Sequence, residues 1–255
     1  MLMPRIIPCL LIHKDGLVKS VNFKDYKYIG DPINTVKIFN EKEVDELIVL
    51  DIDATRNNTR PNFNLISKIA SECRMPLCYG GGVKTVNDAK EIIRLGVEKV
   101  SVSSAAIENP QLVSEIANEI GSQSISVVID YKKNIFGNYE IWINNGQVNT
   151  KKSLLKNLPD FTSLGAGELI FNSISNDGTL RGYDISLAKN IRSKINTPIT
   201  FLGGASSYED MSSMINEVGV VGLAAGSLFV FKGKYKAVLI NYPKYDDKVK
   251  IFKSL

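Results

Sequence analysis

Two runs of glycine, Gly80-Gly81-Gly82 and Gly203-Gly204, are the residues whose type and spacing first suggest chemistry. Each is followed later by a loop of small residues, Ser103-Ser104-Ala105 after the first and Ala224-Ala225-Gly226-Ser227 after the second. Asn176-Asp177-Gly178-Thr179 is a further polar loop of the same kind. Glycine lets backbone N–H groups approach a phosphate closely, and an adjacent helix N-terminus adds favourable partial charge. The pattern predicts two phosphate cradles, one around Gly81, Gly82, Ser103 and Ser104, the other around Gly178, Gly203, Gly204, Ala225 and Gly226. The competing reading is that these glycines only make tight turns between strands and helices.

The elements that must position these loops repeat. Glu46-Leu47-Ile48 returns as Glu168-Leu169-Ile170, Pro76 as Pro198 and Asp88 as Asp210, each at an offset of 122 residues. Strand patterns lie at Arg5–Leu11, Glu46–Ile52, Leu77–Tyr79, Lys99–Val102, Ser124–Asp130, Glu168–Asn172, Ile199–Leu202 and Val221–Ala224. Several are apolar almost throughout, as parallel strands covered on both faces require. Helix patterns alternate with them at Asn34–Lys42, Phe63–Ser71, Val86–Leu95, Pro110–Glu119, Ser153–Leu164, Ile185–Lys194 and Tyr208–Glu217, with Asp184 and Ser207 as caps. The alternation and the repeat predict a (β/α)8 TIM barrel of two half-barrels, about 1–122 and 123–255, forming one domain. Within Tyr131–Asn149, two aromatic-alternating segments flank Asn144-Asn145-Gly146, which predicts a β-hairpin inserted after strand five. On this fold the glycine loops follow strands three, four, seven and eight and share the catalytic face.

The bulk properties narrow the setting. The 255 residues suit one barrel, and 44% apolar with 23% charged residues is ordinary for a globular protein. No apolar run reaches the roughly 18 residues of a membrane span, and Met1–Ile12 is too short and proline-interrupted for a signal peptide. Cys9, Cys73 and Cys78 make no metal-like spacing with His13, the single histidine. The expectation is a cytoplasmic chain with reduced thiols, no metal and no cofactor. The net charge of +4 is modest and the lysines look scattered except near Lys244–Lys253, so neither nucleic acid nor membrane is expected as a partner.

Four charged residues, Arg5, Glu46, Lys99 and Glu168, stand at or just before strand starts, which face the end of the barrel away from the glycine loops. There they would meet around the axis as a neutral ring, either as a salt-bridge plug or as something that opens. Buried charges need partners in either case.

The chain resembles the cyclase subunit of imidazole glycerol phosphate synthase. The resemblance rests on Arg5-Ile6-Ile7-Pro8-Cys9-Leu10, Lys14-Asp15-Gly16, Asn22-Phe23, Gly30-Asp31-Pro32, Gly80-Gly81-Gly82, Gly96-Val97-Glu98-Lys99-Val100-Ser101, Glu108-Asn109-Pro110 and Asp177-Gly178-Thr179 with Gly182-Tyr183-Asp184. It implies a heterodimer with a glutaminase docked at the N-terminal face of the barrel. Ammonia would enter through a gate of Arg5, Glu46, Lys99 and Glu168 and meet a phosphorylated small molecule at the mouth. It also implies that Lys19, Asp51 and Asp130 are catalytic residues at the mouth and that Asp177 lies near a substrate phosphate. The family pairs a strand-one aspartate with the strand-five aspartate as general acid and base, and here Leu11 replaces the first. Losing one of two such carboxylates should cost about 10²–10⁴-fold in acid–base catalysis.

Cys9-Leu10-Leu11, Leu17-Val18-Lys19, Pro61-Asn62-Phe63, Pro76-Leu77-Cys78-Tyr79-Gly80 and Phe229–Pro243 resemble a group of relatives associated with acetamidino modification of sugars. That resemblance implies ammonia passed on to a separate sugar amidotransferase that modifies a nucleotide sugar for surface polysaccharide. The alternatives are an authentic cyclase–lyase of histidine biosynthesis and a non-catalytic scaffold that activates a glutaminase. A phosphosugar isomerase fits less well, because related isomerases also need two facing aspartates.

Overall fold

The computed structural model describes residues 3–252, so the basic stretch Lys244–Lys253 ends at a residue outside the described range. Eight parallel strands close into a barrel: Arg5–His13, Leu47–Asp51, Leu77–Gly80, Lys99–Val102, Ile125–Lys133, Glu168–Ser173, Ile199–Leu202 and Gly222–Ala225. They are called here strands one to eight. Each pairs with the next, and strand eight pairs back with strand one through Arg5 opposite Gly222. All seven expected helices are present within two residues at either end. The described helices include none long and apolar enough to cross a membrane.

Alternate residues of each strand divide the interior from the helix-facing side. Ile7, Cys9, Ile48, Cys78, Val128, Ile170, Leu202 and Ala224 fill the barrel, with Leu11 and Leu50 packed against them. The intervening residues, such as Leu47, Val49, Val100, Val127 and Phe171, meet the helices in a separate, larger core. Asp184 and Ser207 cap their helices, accepting from Leu187 N and Asp210 N.

The repeat is visible in packing. A side chain at Gly81 would come within 2.4 Å of the Asp51 carbonyl oxygen, and one at Gly203 within 2.7 Å of the Ser173 carbonyl oxygen. Residues 51 and 173 are again separated by the repeat offset. Both glycines also have positive φ, so backbone geometry and close approach impose them together. Asp88 holds Arg60 at 2.8 Å, and its counterpart Asp210 accepts from the backbone N–H of Tyr183 and Ser206.

The expected insert is present, as strands Tyr139–Ile143 and Val148–Ser153 continuing antiparallel from strand five. Two further hairpins were not anticipated. One follows strand one, as Gly16–Val21 and Lys24–Gly30; the other follows strand eight, as Phe231–Lys232 and Ala237–Val238. After it the chain descends to the floor of the barrel, where the last described helix is Tyr245–Phe252.

Tyr242 anchors that descent. Its hydroxyl donates to the Ile6 carbonyl at 2.7 Å and accepts from Asp45 N, while Lys248 pairs with Asp45 at 2.6 Å. Tyr242→Phe removes partners from two backbone groups at the start of strands one and two. The expected cost is about 1–2 kcal/mol, a fall in Tm of roughly 3–6 °C by scanning calorimetry.

Candidate active site at the barrel mouth

The loops after the strands surround a cavity of about 560 Å³ that reaches down to Cys9, Leu50, Ser101 and Val128. Asp130, at the mouth end of strand five, lines it and accepts a hydrogen bond from Asn172 Nδ2 at 2.8 Å. Burial pushes the Asp130 carboxyl up to about 7; the Asn172 bond opposes that rise and the charge on Asp177 adds to it. Leu11 also lines the cavity, so strand one brings hydrocarbon where a proton-transferring group would complete a pair.

Asp51 lines the mouth too, but one of its oxygens caps the short helix Ile52–Arg56 through Asp53 N and Ala54 N, at 2.9 and 3.1 Å. Burial raises its pKa, against those two hydrogen bonds. Lys19 forms a buried ion pair with Asp177. Asp177 also accepts from Ser20 Oγ at 2.7 Å, and its carbonyl accepts from Asn22 N. Its carboxylate is thus engaged with the hairpin after strand one. Gly178 permits this contact, since a Cβ there would lie 2.3 Å from the Ser20 carbonyl oxygen.

The two glycine cradles are not equivalent. Gly203, Gly204, Ala225 and Gly226 border a small recess beside Lys19 and Asp177. Gly81, Gly82, Ser103 and Ser104 line the wide part of the cavity, where the insert turn reaches across. Asn144 N donates to Ser104 Oγ at 2.9 Å and Asn145 Nδ2 donates to the Ile52 carbonyl at 2.6 Å. The sequence reading missed Arg56 and Lys84, which line this same side. Arg56 ends the short helix Ile52–Arg56 and Lys84 lies on the loop after strand three, with no repeat or motif to single either out. Among the described residues, no group of three or more His, Cys, Asp or Glu is placed to hold a metal ion.

At the opposite end the four floor residues do meet. Arg5 bonds Glu46 and, at 2.7 Å, Glu168; Lys99 reaches the same two carboxylates at 2.9 and 2.8 Å. The ring is closed, alternating in sign and neutral. Burial opposes ionisation of Glu168, yet Arg5 and Lys99 outweigh it and hold this carboxyl well below the usual range. Burial likewise works against charge on Lys99, and Glu168 and Glu46 more than compensate. Thr200 donates a further hydrogen bond to Glu168. Glu98 accepts from Leu77 N at 2.7 Å and so fixes the start of strand three. Above the ring, Ser101 contacts Ser126 at 2.7 Å and Cys78 at 2.9 Å inside the barrel. Ser101 also forms part of the cavity wall, so the mouth extends to within one turn of the pleat of Lys99.

The pKa of Asp130 has a testable sign. A carboxyl raised from 3.8 to about 7 binds its proton more tightly folded than unfolded. Its contribution therefore lowers stability as pH rises through about 4 to 7, and the penalty is complete above that window. Asp130→Asn should be more stable relative to the parent at pH 8 than at pH 5, by thermal melts. Carbon-detected NMR of the parent should place the carboxyl midpoint near neutral pH; a midpoint near 4 would contradict the desolvated geometry.

The family model described as "Histidine biosynthesis protein" matches residues 5–236. The chain is 54% identical to the putative imidazole glycerol phosphate synthase subunit HisF of Leptospira borgpetersenii, over 99% of this chain and all of that protein. It is 51% identical to the putative subunit hisF3 of Vibrio vulnificus, over 98% of this chain and 96% of the relative. The imidazole glycerol phosphate synthase subunit HisF of Alkaliphilus metalliredigens is 36% identical, with 90% and 91% covered. With a closed barrel, a neutral charged floor and these matches along nearly its whole length, the chain belongs to the histidine-biosynthesis protein family, among the homologues of the HisF subunit of imidazole glycerol phosphate synthase.

Proposed function

We propose that this chain, as one domain of two half-barrels, is the synthase barrel of a glutamine amidotransferase. It would receive ammonia at its floor from a docked glutaminase and deliver it to a phosphorylated ligand at its mouth. The observation that carries this reading is the neutral ring of Arg5, Glu46, Lys99 and Glu168, coaxial with a cavity that descends toward it. Hydrophobic residues of similar volume would close a barrel floor at equal or lower cost, so the ring is poorly explained by stability alone. A ring held only by side-chain ion pairs can part without moving a strand, and ammonia is small and neutral.

At the mouth, Asp130 is the group assigned to proton transfer, because near neutral pH it exists in both protonation states. Lys19 and Asp51 are assigned to shaping the site, through the Asp177 latch and the cap on Ile52–Arg56. The glycine cradles, assisted by Arg56 and Lys84, are assigned to the two ends of a bis-phosphorylated ligand. Asp177 would act there through its backbone, since its carboxylate is occupied. The names carried by the relatives support an acceptor of the imidazole glycerol phosphate synthase type, in histidine biosynthesis. One observation favours a second reading. Leu11 leaves Asp130 without a facing carboxyl, which suits a barrel that passes ammonia on to a separate sugar amidotransferase for acetamidino modification.

Two experiments divide these possibilities. Lys99→Met in the complex with its glutaminase should lower glutamine-supported turnover by roughly tenfold or more while turnover on added ammonium salts is retained. Equal loss on both nitrogen sources, or none on either, would exclude a conduit and leave the scaffold. Separately, the gene and its Leu11→Asp variant are introduced into a histidine auxotroph lacking the cyclase subunit. Growth with the parent supports the histidine acceptor. Growth only with Leu11→Asp, or with neither, supports the second reading, and the expected gain on restoring the carboxyl is about 10²-fold or more.

A further inference from the structure

Five of the lysines that look scattered in the sequence converge on one flank of the barrel. Strands one and eight are neighbours, and a hairpin leaves the mouth end of each. Lys27 joins the two hairpins by donating to the Lys236 carbonyl at 2.8 Å and lying over the Phe231 ring at 5.0 Å. The joined ribbons, Lys24–Gly30 and Phe231–Leu239, expose Lys24, Lys27, Lys232, Lys234 and Lys236 against a single carboxylate, Asp25. That surplus equals the net charge of the whole chain, +4, so the rest of the molecule is balanced and this flank is not. None of the five lysines takes part in the ion pairs found among the described residues, although lysines elsewhere do.

Large apolar groups stand among these charges. Tyr235 is 89% exposed and Tyr28 64%, with Val238 and Leu239 also in solvent. Exposed tyrosines beside aliphatic side chains and unpaired cations have the composition of a protein interface, where aromatics supply the contact and rim charges steer the approach. A site for nucleic acid would gain nothing from Val238 and Leu239, and the flank contains no arginine to fork a phosphate. The flank also borders the mouth. Burial and then the charge of Lys24 push Lys132 below its ordinary pKa, and Lys132 lies over the Trp142 ring, the cross-strand partner of Asp130.

We propose that the paired hairpins Lys24–Gly30 and Phe231–Leu239 form a docking surface for a second protein that presents a carboxylate-rich face. It is distinct from the floor, and it holds whether or not ammonia travels along the axis. A partner seated there would sit beside the mouth.

The test uses the full chain. Binding of a fluorescent poly-glutamate of about 50 residues is compared with that of a single-stranded oligonucleotide of equal charge, at low and moderate salt. Lys232→Glu, Lys234→Glu and Lys236→Glu together should weaken poly-glutamate by about tenfold or more, and Lys68→Glu, Lys156→Glu and Lys194→Glu together by less than about twofold. Equal loss in both triple variants would overturn the proposal, as would tighter binding of the oligonucleotide lost in the first triple. A photo-crosslinking residue at position 235 then reports the occupant in cells. A protein adduct that disappears in the first triple, and whose purified partner binds the parent in a salt-dependent manner, supports the proposal; a nucleic-acid adduct, or none, overturns it. Unchanged melting temperatures show that the variants fold.

Discussion

The structure depends on how four charges settle around the axis at one end of a closed sheet. Arg5, Lys99 and Glu168 start strands one, four and six, Glu46 immediately precedes strand two, and each cation touches both carboxylates. A one-residue slip in any of those strands would turn its charge away from the axis and leave the others unpaired in a largely buried place. The ring therefore ties strand register to electrostatic neutrality. Thr200 extends the tie to strand seven. The interior above it is mostly hydrocarbon, which has no such preference for register, so specification from the floor complements packing from above.

The opposite end repeats one turn geometry at the sequence offset. The loops of the two halves approach their preceding units at the same places, Gly81 against residue 51 and Gly203 against residue 173. What differs is what the halves have built over those turns. In the first half the insert turn crosses to Ser104 and Ile52, leaving a broad cavity edged by Arg56 and Lys84. In the second, the hairpin after strand one closes onto Asp177 and leaves a recess. One turn geometry thus supports two unlike pockets.

Much of the barrel was legible because its strands are short apolar runs bounded by helices with strong caps, a pattern that depends on local sequence. The ring was legible because residues at strand starts must share one end of a barrel. Contacts that depend on distant partners were not. Asp177 read as a ligand-facing loop residue, yet its carboxylate meets Lys19 and Ser20, more than 150 positions away. The hairpin after strand one was missed because its tip uses Asn22 and Phe23 at positive φ, where glycine would have been the visible signal. The lysine flank was missed for the same reason as Asp177. Its two ribbons are separated by most of the chain and are joined only because strands one and eight are neighbours.

Leu11 changes what Asp130 can be. In a facing pair of carboxylates each raises the other's pKa, and a shared proton divides their roles. Here the rise comes first from burial, with the nearby charge of Asp177 adding to it and Asn172 opposing it. The protonation of Asp130 therefore answers to how well the mouth excludes water. Lys19 neutralises Asp177 only while the strand-one hairpin is seated, so unseating it would expose Asp130 to both solvent and an unpaired charge, with opposing effects on its pKa. With no carboxyl facing it from strand one, Asp130 can still hold or release a proton at neutral pH, but it cannot by itself give one and take another across a substrate in the same step. Any two-proton reaction at this site needs a second group, which could be Asp51 released from its cap, a group of the ligand or one from a bound partner.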